Sequence, residues 1–170
     1  AFLQGVTYEE LSRLTGEPIR EINFYLPAAN VALLKQVPGF ENFNPGLEVL
    51  HCDKPGTGLV DAPRCFSLKL AKITQKIGFQ PVAVDPELCV IHRNNQLMVI
   101  MTKHVDDLKL AGPRELVISA LKAIQDEFGE LKINWHNFTN CGVRHQQDAQ
   151  TKEITLDQEQ YIKALQPIAH

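Results

Sequence analysis

The stretch that most restricts what this chain can fold into spans residues 97–112, Leu-Met-Val-Ile-Met-Thr-Lys-His-Val-Asp-Asp-Leu-Lys-Leu-Ala-Gly. Asp106 and Asp107 stand side by side between one apolar run (residues 97–101) and a second (Leu108, Leu110, Ala111). Short apolar runs rich in Val, Ile and Leu read as buried strands. Two adjacent carboxylates repel each other, and desolvating them is costly unless a cation or donor compensates. A hairpin whose tip offers the acids to a divalent cation removes that cost, and hard oxygen ligands suit Mg²⁺. Taken alone, the pair reads first as an ordinary solvated turn, since Asp is a favoured turn residue; the rest of the chain changes that balance.

The flanking sequence mixes helices and strands. Thr7 is placed to cap a short helix over residues 9–13, and residues 22–26, 33–37 and 47–52 are short strand candidates among Pro, Gly and Asn. Pro63 suits the first turn of a helix. Phe66, Leu70, Ile73 and Ile77 follow it at helical spacing as far as Gly78, with Lys69, Lys72 and Lys76 on the more polar side. Residues 88–92, a turn at Asn94-Asn95 and residues 96–103 predict a hairpin that leads into the acidic pair. Pro113 opens a second helix, with Leu116, Ile118, Leu121, Ile124 and Phe128 apolar and Gly129 closing it. Strands are expected over 131–134, 138–145 and 154–156, and a last helix over 158–165. There is no regular strand–helix–strand repeat, which predicts an α+β domain: an antiparallel sheet with helices packed on one face.

At 170 residues, the chain has the length of one domain with its own core. No apolar run approaches the ~20 residues that span a bilayer. Cys52, Cys65, Cys89 and Cys141 are scattered without a Cys-x-x-Cys pair, as expected of reduced thiols in an intracellular setting. The net charge of −3 argues against a free-standing nucleic-acid binder, so any polynucleotide contact needs a local basic surface or basic regions beyond this segment. His136, Cys141 and His145 lack a fourth ligand at zinc spacing, and Gly56-Thr57-Gly58 lacks the Lys-Ser/Thr of a phosphate loop. The apolar opening, Ala1-Phe2-Leu3-Gln4-Gly5, reads as a cut made inside an element.

Several motifs resemble the reverse transcriptase of copia-type LTR retrotransposons. Gly58-Leu59-x-x-Ala62-Pro63-Arg64-x-Phe66 is similar to that family's Tyr-Gly-Leu-Lys-Gln-Ala-Pro-Arg-x-Trp. Val105-Asp106-Asp107-Leu108-x-Leu110-Ala111-Gly112 is similar to its Tyr-Val-Asp-Asp-Leu-Leu-Leu-Ala-Gly. Residues 1–5, Pro38-Gly39-Phe40-Glu41 and Leu156-Asp157-Gln158-Glu159-Gln160-Tyr161-Ile162 resemble further family elements, and all fall in family order. Thr57, Val60 and Asp61 replace the family's Tyr, Lys and Gln, and His104 replaces the aromatic before Val-Asp-Asp.

The resemblance implies the palm of a right-hand polymerase, with part of the fingers. Residues 1–170 would be a single partial domain of a polyprotein that also carries the remaining fingers, thumb, RNase H and integrase. The implied activity is RNA-directed DNA synthesis by two-metal nucleotidyl transfer to a primer 3′-hydroxyl. Its cofactor is Mg²⁺ or Mn²⁺, and its partners are an RNA/DNA template-primer and a dNTP. Asp106 and Asp107 match the catalytic, metal-holding acids, with Asp107 the less directly engaged. Phe2, Gly58, Ala62, Pro63, Arg64 and His104 match positions that face nucleotide, template or primer, Phe2 being the aromatic that excludes a ribose 2′-hydroxyl. The family's first catalytic aspartate falls four residues before the alanine matched by Ala1, outside this sequence. The implied location is cytoplasmic, in a virus-like particle, with no membrane partner. A second function class remains beside this one: a catalytically dead remnant serving as a structural or RNA-binding module.

Overall fold

The computed structural model describes residues 2–166; Ala1, the first residue of the opening motif, lies outside them. The chain is α+β, with helices and antiparallel sheets, and divides into two compact units, Ala1–Gly78 and Phe79–His170.

In the first unit a 3-10 turn (Phe2–Gln4) leads into helix α1 (Tyr8–Thr15). Thr7 caps α1 by accepting the Glu10 amide at 3.0 Å, and Gly16 ends it at φ +73°. Strand β1 (Asn23–Phe24) pairs antiparallel with β2 (Leu50–His51). Between them Ala28–Leu34 forms helix α2, with Lys35 as its C-cap and turns following. That corrects the strand expected over residues 33–37. Pro27 sets a helix entry, and Ala-Ala-Asn-Val-Ala-Leu-Leu is dominated by strong helix formers. Helix α3 (Ala62–Lys76) buries Ala62, Cys65, Phe66, Leu70 and Ile73, with Ile77 half-buried beyond its end. The core of this unit gathers Val6, Tyr8, Leu11 and Cys65, with Ile22, Cys52 and Leu68 against them.

In the second unit strands β3 (Gln80–Val82), β4 (Asp85–Arg93), β5 (Gln96–His104) and β6 (Asp107–Ala111) form an antiparallel meander in chain order. Asn94 and Asn95 close the β4–β5 hairpin at φ +50° and +60°, a conformation Asn tolerates. Helix α4 (Arg114–Phe128) buries Val117, Ala120 and Ile124, while Ile118 is 44% exposed. The expected stripe was therefore one residue off at its start, because small Ala120 belongs to the buried face. Residues 131–134 form no strand. The strand expected over 138–145 is a hairpin, β7 (Asn137–Asn140) and β8 (Val143–Gln147), turned at Cys141-Gly142. Strand β9 (Ile154–Asp157) completes a three-stranded antiparallel sheet, and helix α5 (Glu159–Ala164) follows. Among the described residues, no helix is long and apolar enough to cross a membrane.

Candidate functional site

The acidic pair sits at the end of the β5–β6 hairpin. His104 pairs with Asp107, Lys103 with Leu108 and Thr102 with Lys109, leaving Val105 and Asp106 as a two-residue turn. Val105 has φ +56°. Positive φ at the first turn residue alone is the II′ pattern, whose usual occupant is Gly. A β-branched residue in that conformation is strained, and such strain clusters at functional sites. With a side-chain period of two, Val99, Met101, Lys103, Leu108 and Leu110 share one face, and Thr102, His104, Asp107 and Lys109 share the other. Val99 and Met101 are fully buried, whereas His104, Asp106 and Asp107 are exposed.

Gly112 follows β6 beside Val99. A Cβ there would stand 2.5 Å from the Met98 carbonyl oxygen and 3.1 Å from the Val99 Cα, so only glycine allows this approach. Lys103, 8% exposed, has the Glu87 carboxylate 3.8 Å away. Burial pushes the neighbouring Cys89 thiol up, partly opposed by the Lys103 charge.

Beside the hairpin tip lies a cleft of about 320 Å³. Its apolar part includes Leu108, Leu110, Val117, Leu121 and Phe138, and its rim includes Asp106, Asp107 and Lys109. Arg114 covers one face of Trp135, which also lines the cleft, at 4.7 Å from the ring centroid. His145 stacks on Phe138 (4.9 Å, 11°) and meets the Lys109 ammonium at 3.2 Å. His136 contacts Gln147 instead, and Cys141 is exposed in its turn. The four cysteines are free thiols.

The remaining sequence-derived site residues belong to the first unit. Gly58 adopts φ +93° in the loop before α3, with open space where a Cβ would be. Ala62 is buried, Pro63 and Arg64 are exposed, and all three form the first turn of α3. The Arg64 guanidinium is held by both carboxylate oxygens of Glu17 at 3.0–3.1 Å, which raises its pKa. Asp61, the acid that departs from the family pattern, does not face solvent alone. It is 9% exposed and bonded to Arg20 at 2.5 Å, so its charge is paired internally. Two stretches far apart in sequence meet here. Gly5 passes so close to α3 that a Cβ would stand 3.0 Å from Cys65 and Phe66 backbone atoms, and the Val6 amide donates to the Cys65 carbonyl at 3.2 Å. Phe2 lies in the 3-10 turn; its side chain is outside what is described. Buried Tyr8 Oη has no hydrogen-bond partner among the described residues; burial, then the Asp61 charge, raises its pKa and that of the Cys65 thiol.

Sequence reasoning missed three features: the strained Val105, the Arg20–Asp61 pair and the Lys109–His145 contact. Only Lys109 left a trace, as a cation amid the leucines of the family pattern.

Among the described residues, no group of three or more His, Cys, Asp and Glu side chains is arranged to hold a metal ion. The acidic tip does offer two exposed carboxylates on adjacent residues. Mg²⁺ keeps several waters and uses one or two protein carboxylates with substrate phosphates, so an open pair of this kind fits it. No family model, curated protein or solved structure matches the chain.

Proposed function

We propose that this chain is a segment of a copia-type reverse transcriptase, an RNA-directed DNA polymerase carrying the palm and part of the fingers as one partial domain. What carries the reading is the Asp106-Asp107 pair at the tip of a two-residue antiparallel hairpin, with strained Val105 directly before it. The resembling motifs that precede and follow that hairpin in sequence give it its context. Asp106 and Asp107 would hold Mg²⁺ or Mn²⁺, which when bound offsets phosphate charge and acidifies a primer 3′-hydroxyl. The protein's own contribution is positional. The tight turn fixes both carboxylates relative to the sheet, and His104, opposite Asp107, offers an exposed ring for stacking on or bonding to a primer end. By the resemblance, Gly58 and the first turn of α3 would supply backbone support for template and nucleotide. The remaining fingers, thumb, RNase H and integrase would be supplied by other parts of a polyprotein acting in a cytoplasmic particle.

Paramagnetic broadening tests the metal site. Mn²⁺ should broaden the amides of residues 105–108 first, and broadening centred on residues 136–145 would sink the assignment. Activity is tested in a version extended upstream to the first aspartate and downstream to the thumb. It should extend a primer on RNA; Asp106→Asn should abolish extension, Asp107→Asn should reduce it less, and Phe2→Val should admit ribonucleotides. A specific observation favours the remnant as second reading: Arg64, expected at the template strand, is engaged by Glu17. A folded, extended protein that never polymerises, even with Lys restored at Val60 and Gln at Asp61, decides for it.

A further inference from the structure

We propose that Lys109 contacts a phosphate group in the cleft beside Asp106 and Asp107, and that His145 is the residue that positions it. The choice of a phosphate ligand rests on the polymerase reading; the placement of the ammonium does not.

The geometry fixes the imidazole before it fixes the lysine. His145 Nδ1 lies 3.0 Å from the Val143 carbonyl oxygen, which can only accept, so Nδ1 carries the proton. Nε2 faces the Lys109 ammonium at 3.2 Å, and because an ammonium can only donate, Nε2 is the lone-pair acceptor. Stacking on Phe138 holds the ring plane. One of the three N–H donors of the ammonium is thereby used, and two remain.

Arg20, Arg64, Lys72, Lys103, Arg144 and Lys163 each sit by a carboxylate. Arg114 and Lys152, like Lys109, meet neutral groups, but both are exposed, whereas Lys109 is half-buried in the cleft beside the acids. Lys109 is half-buried against a group that orients it without cancelling its charge. It shares a strand face with Asp107, and both line the same cleft. A bare anion would be repelled by the two acids. A phosphate arriving with a divalent cation satisfies both ends, the cation on the carboxylates and a phosphate oxygen on the ammonium. Two sources carry that chemistry: the pyrophosphate tail of a nucleotide and the backbone of a nucleic acid.

The test uses the 170-residue protein with ¹⁵N NMR of the Lys109 ammonium and the His145 ring. It is titrated with magnesium pyrophosphate in one arm and with a single-stranded oligodeoxynucleotide plus MgCl₂ in the other. Saturable shifts at Lys109 Nζ and His145 Nε2 are expected. A response to pyrophosphate alone assigns the nucleotide tail, and a response to the oligonucleotide alone assigns the backbone. Lys109→Met should weaken binding at least about tenfold, the loss expected for one charge-assisted hydrogen bond. Lys109→Arg should largely restore it, and His145→Phe should weaken it while keeping an aromatic ring beside Phe138. Absence of a shift in both arms on the unsubstituted protein overturns the proposal, as does full affinity in Lys109→Met. Mn²⁺ broadening of residues 105–108 separates the two failures: intact broadening without phosphate binding sinks the Lys109 role alone, whereas displaced broadening sinks the polymerase reading.

Discussion

Two residues of the acidic hairpin pull stability in opposite directions. Val105 holds φ +56° in a turn position that suits glycine. A left-handed conformation costs a non-glycine residue about 1–2 kcal/mol. Val105→Gly should therefore raise the unfolding free energy read from chemical denaturation by up to about 1–2 kcal/mol, less the extra backbone entropy that glycine loses on folding. Gly112 is the reverse case, since a methyl group there would stand 2.5 Å from the Met98 carbonyl oxygen. Gly112→Ala should lower stability by about 1–3 kcal/mol, the usual cost of overpacking. If Val105→Gly leaves the stability unchanged the tip is looser than its backbone angle implies, and if Gly112→Ala does so the base of the hairpin is looser than its close contact implies.

Helix α3 gives the clearest test of packing among the elements. Leu70 is 1% exposed, and truncating a buried leucine costs about 2–5 kcal/mol. Lys72, on the opposite side, makes a single ion pair with Glu10 at 3.1 Å, with its own side chain 57% exposed. Such exposed pairs contribute under about 1 kcal/mol. Leu70→Ala should lower the melting temperature clearly and Lys72→Ala should barely move it; equal small effects would mean that the wrong face has been identified. This face was legible in the sequence because Phe66, Leu70 and Ile73 recur at helical spacing. The β4–β5 hairpin was legible too, since Asn94-Asn95 is a recognisable turn pair. The β7–β8 turn was not, because Cys141 adopts φ +50° without belonging to the residue types that advertise it. Pro81 hid β3, and the alanines of α2 carried no periodic stripe. At the site, the positions of Asp106 and Asp107 could be read directly. The partners of Lys109, Asp61 and Arg64 could not, because each lies 36 to 47 residues away in sequence.

At the scale of the whole molecule, acid should act through a few carboxylates, with Asp157 foremost. Hydrogen bonds from Arg144, then from the Glu159 amide, hold its pKa below the ordinary 3.8, and the amides of Thr151 and Gln150 do the same for Asp148. A depressed carboxylate pKa stabilises the fold above the unfolded value, and that contribution disappears as pH falls through the folded one. Melting temperature should hold above about pH 5 and decline below about pH 4. Asp157→Asn should start lower and flatten the decline, and hydrogen exchange should report loosening where β8, β9 and α5 share Arg144. The hairpin tip imposes a different rule on the lineage that carries this sequence. Because Val105 and Asp106 are all that separates the paired residues His104 and Asp107, one extra codon there would shift the strand by half its period. Asp107 and Lys109 would turn to the face of Leu108 and Leu110, and the leucines to solvent, unless a bulge absorbed the insertion. Letters at the tip can drift across generations, but single-residue insertions and deletions between positions 104 and 107 should be purged.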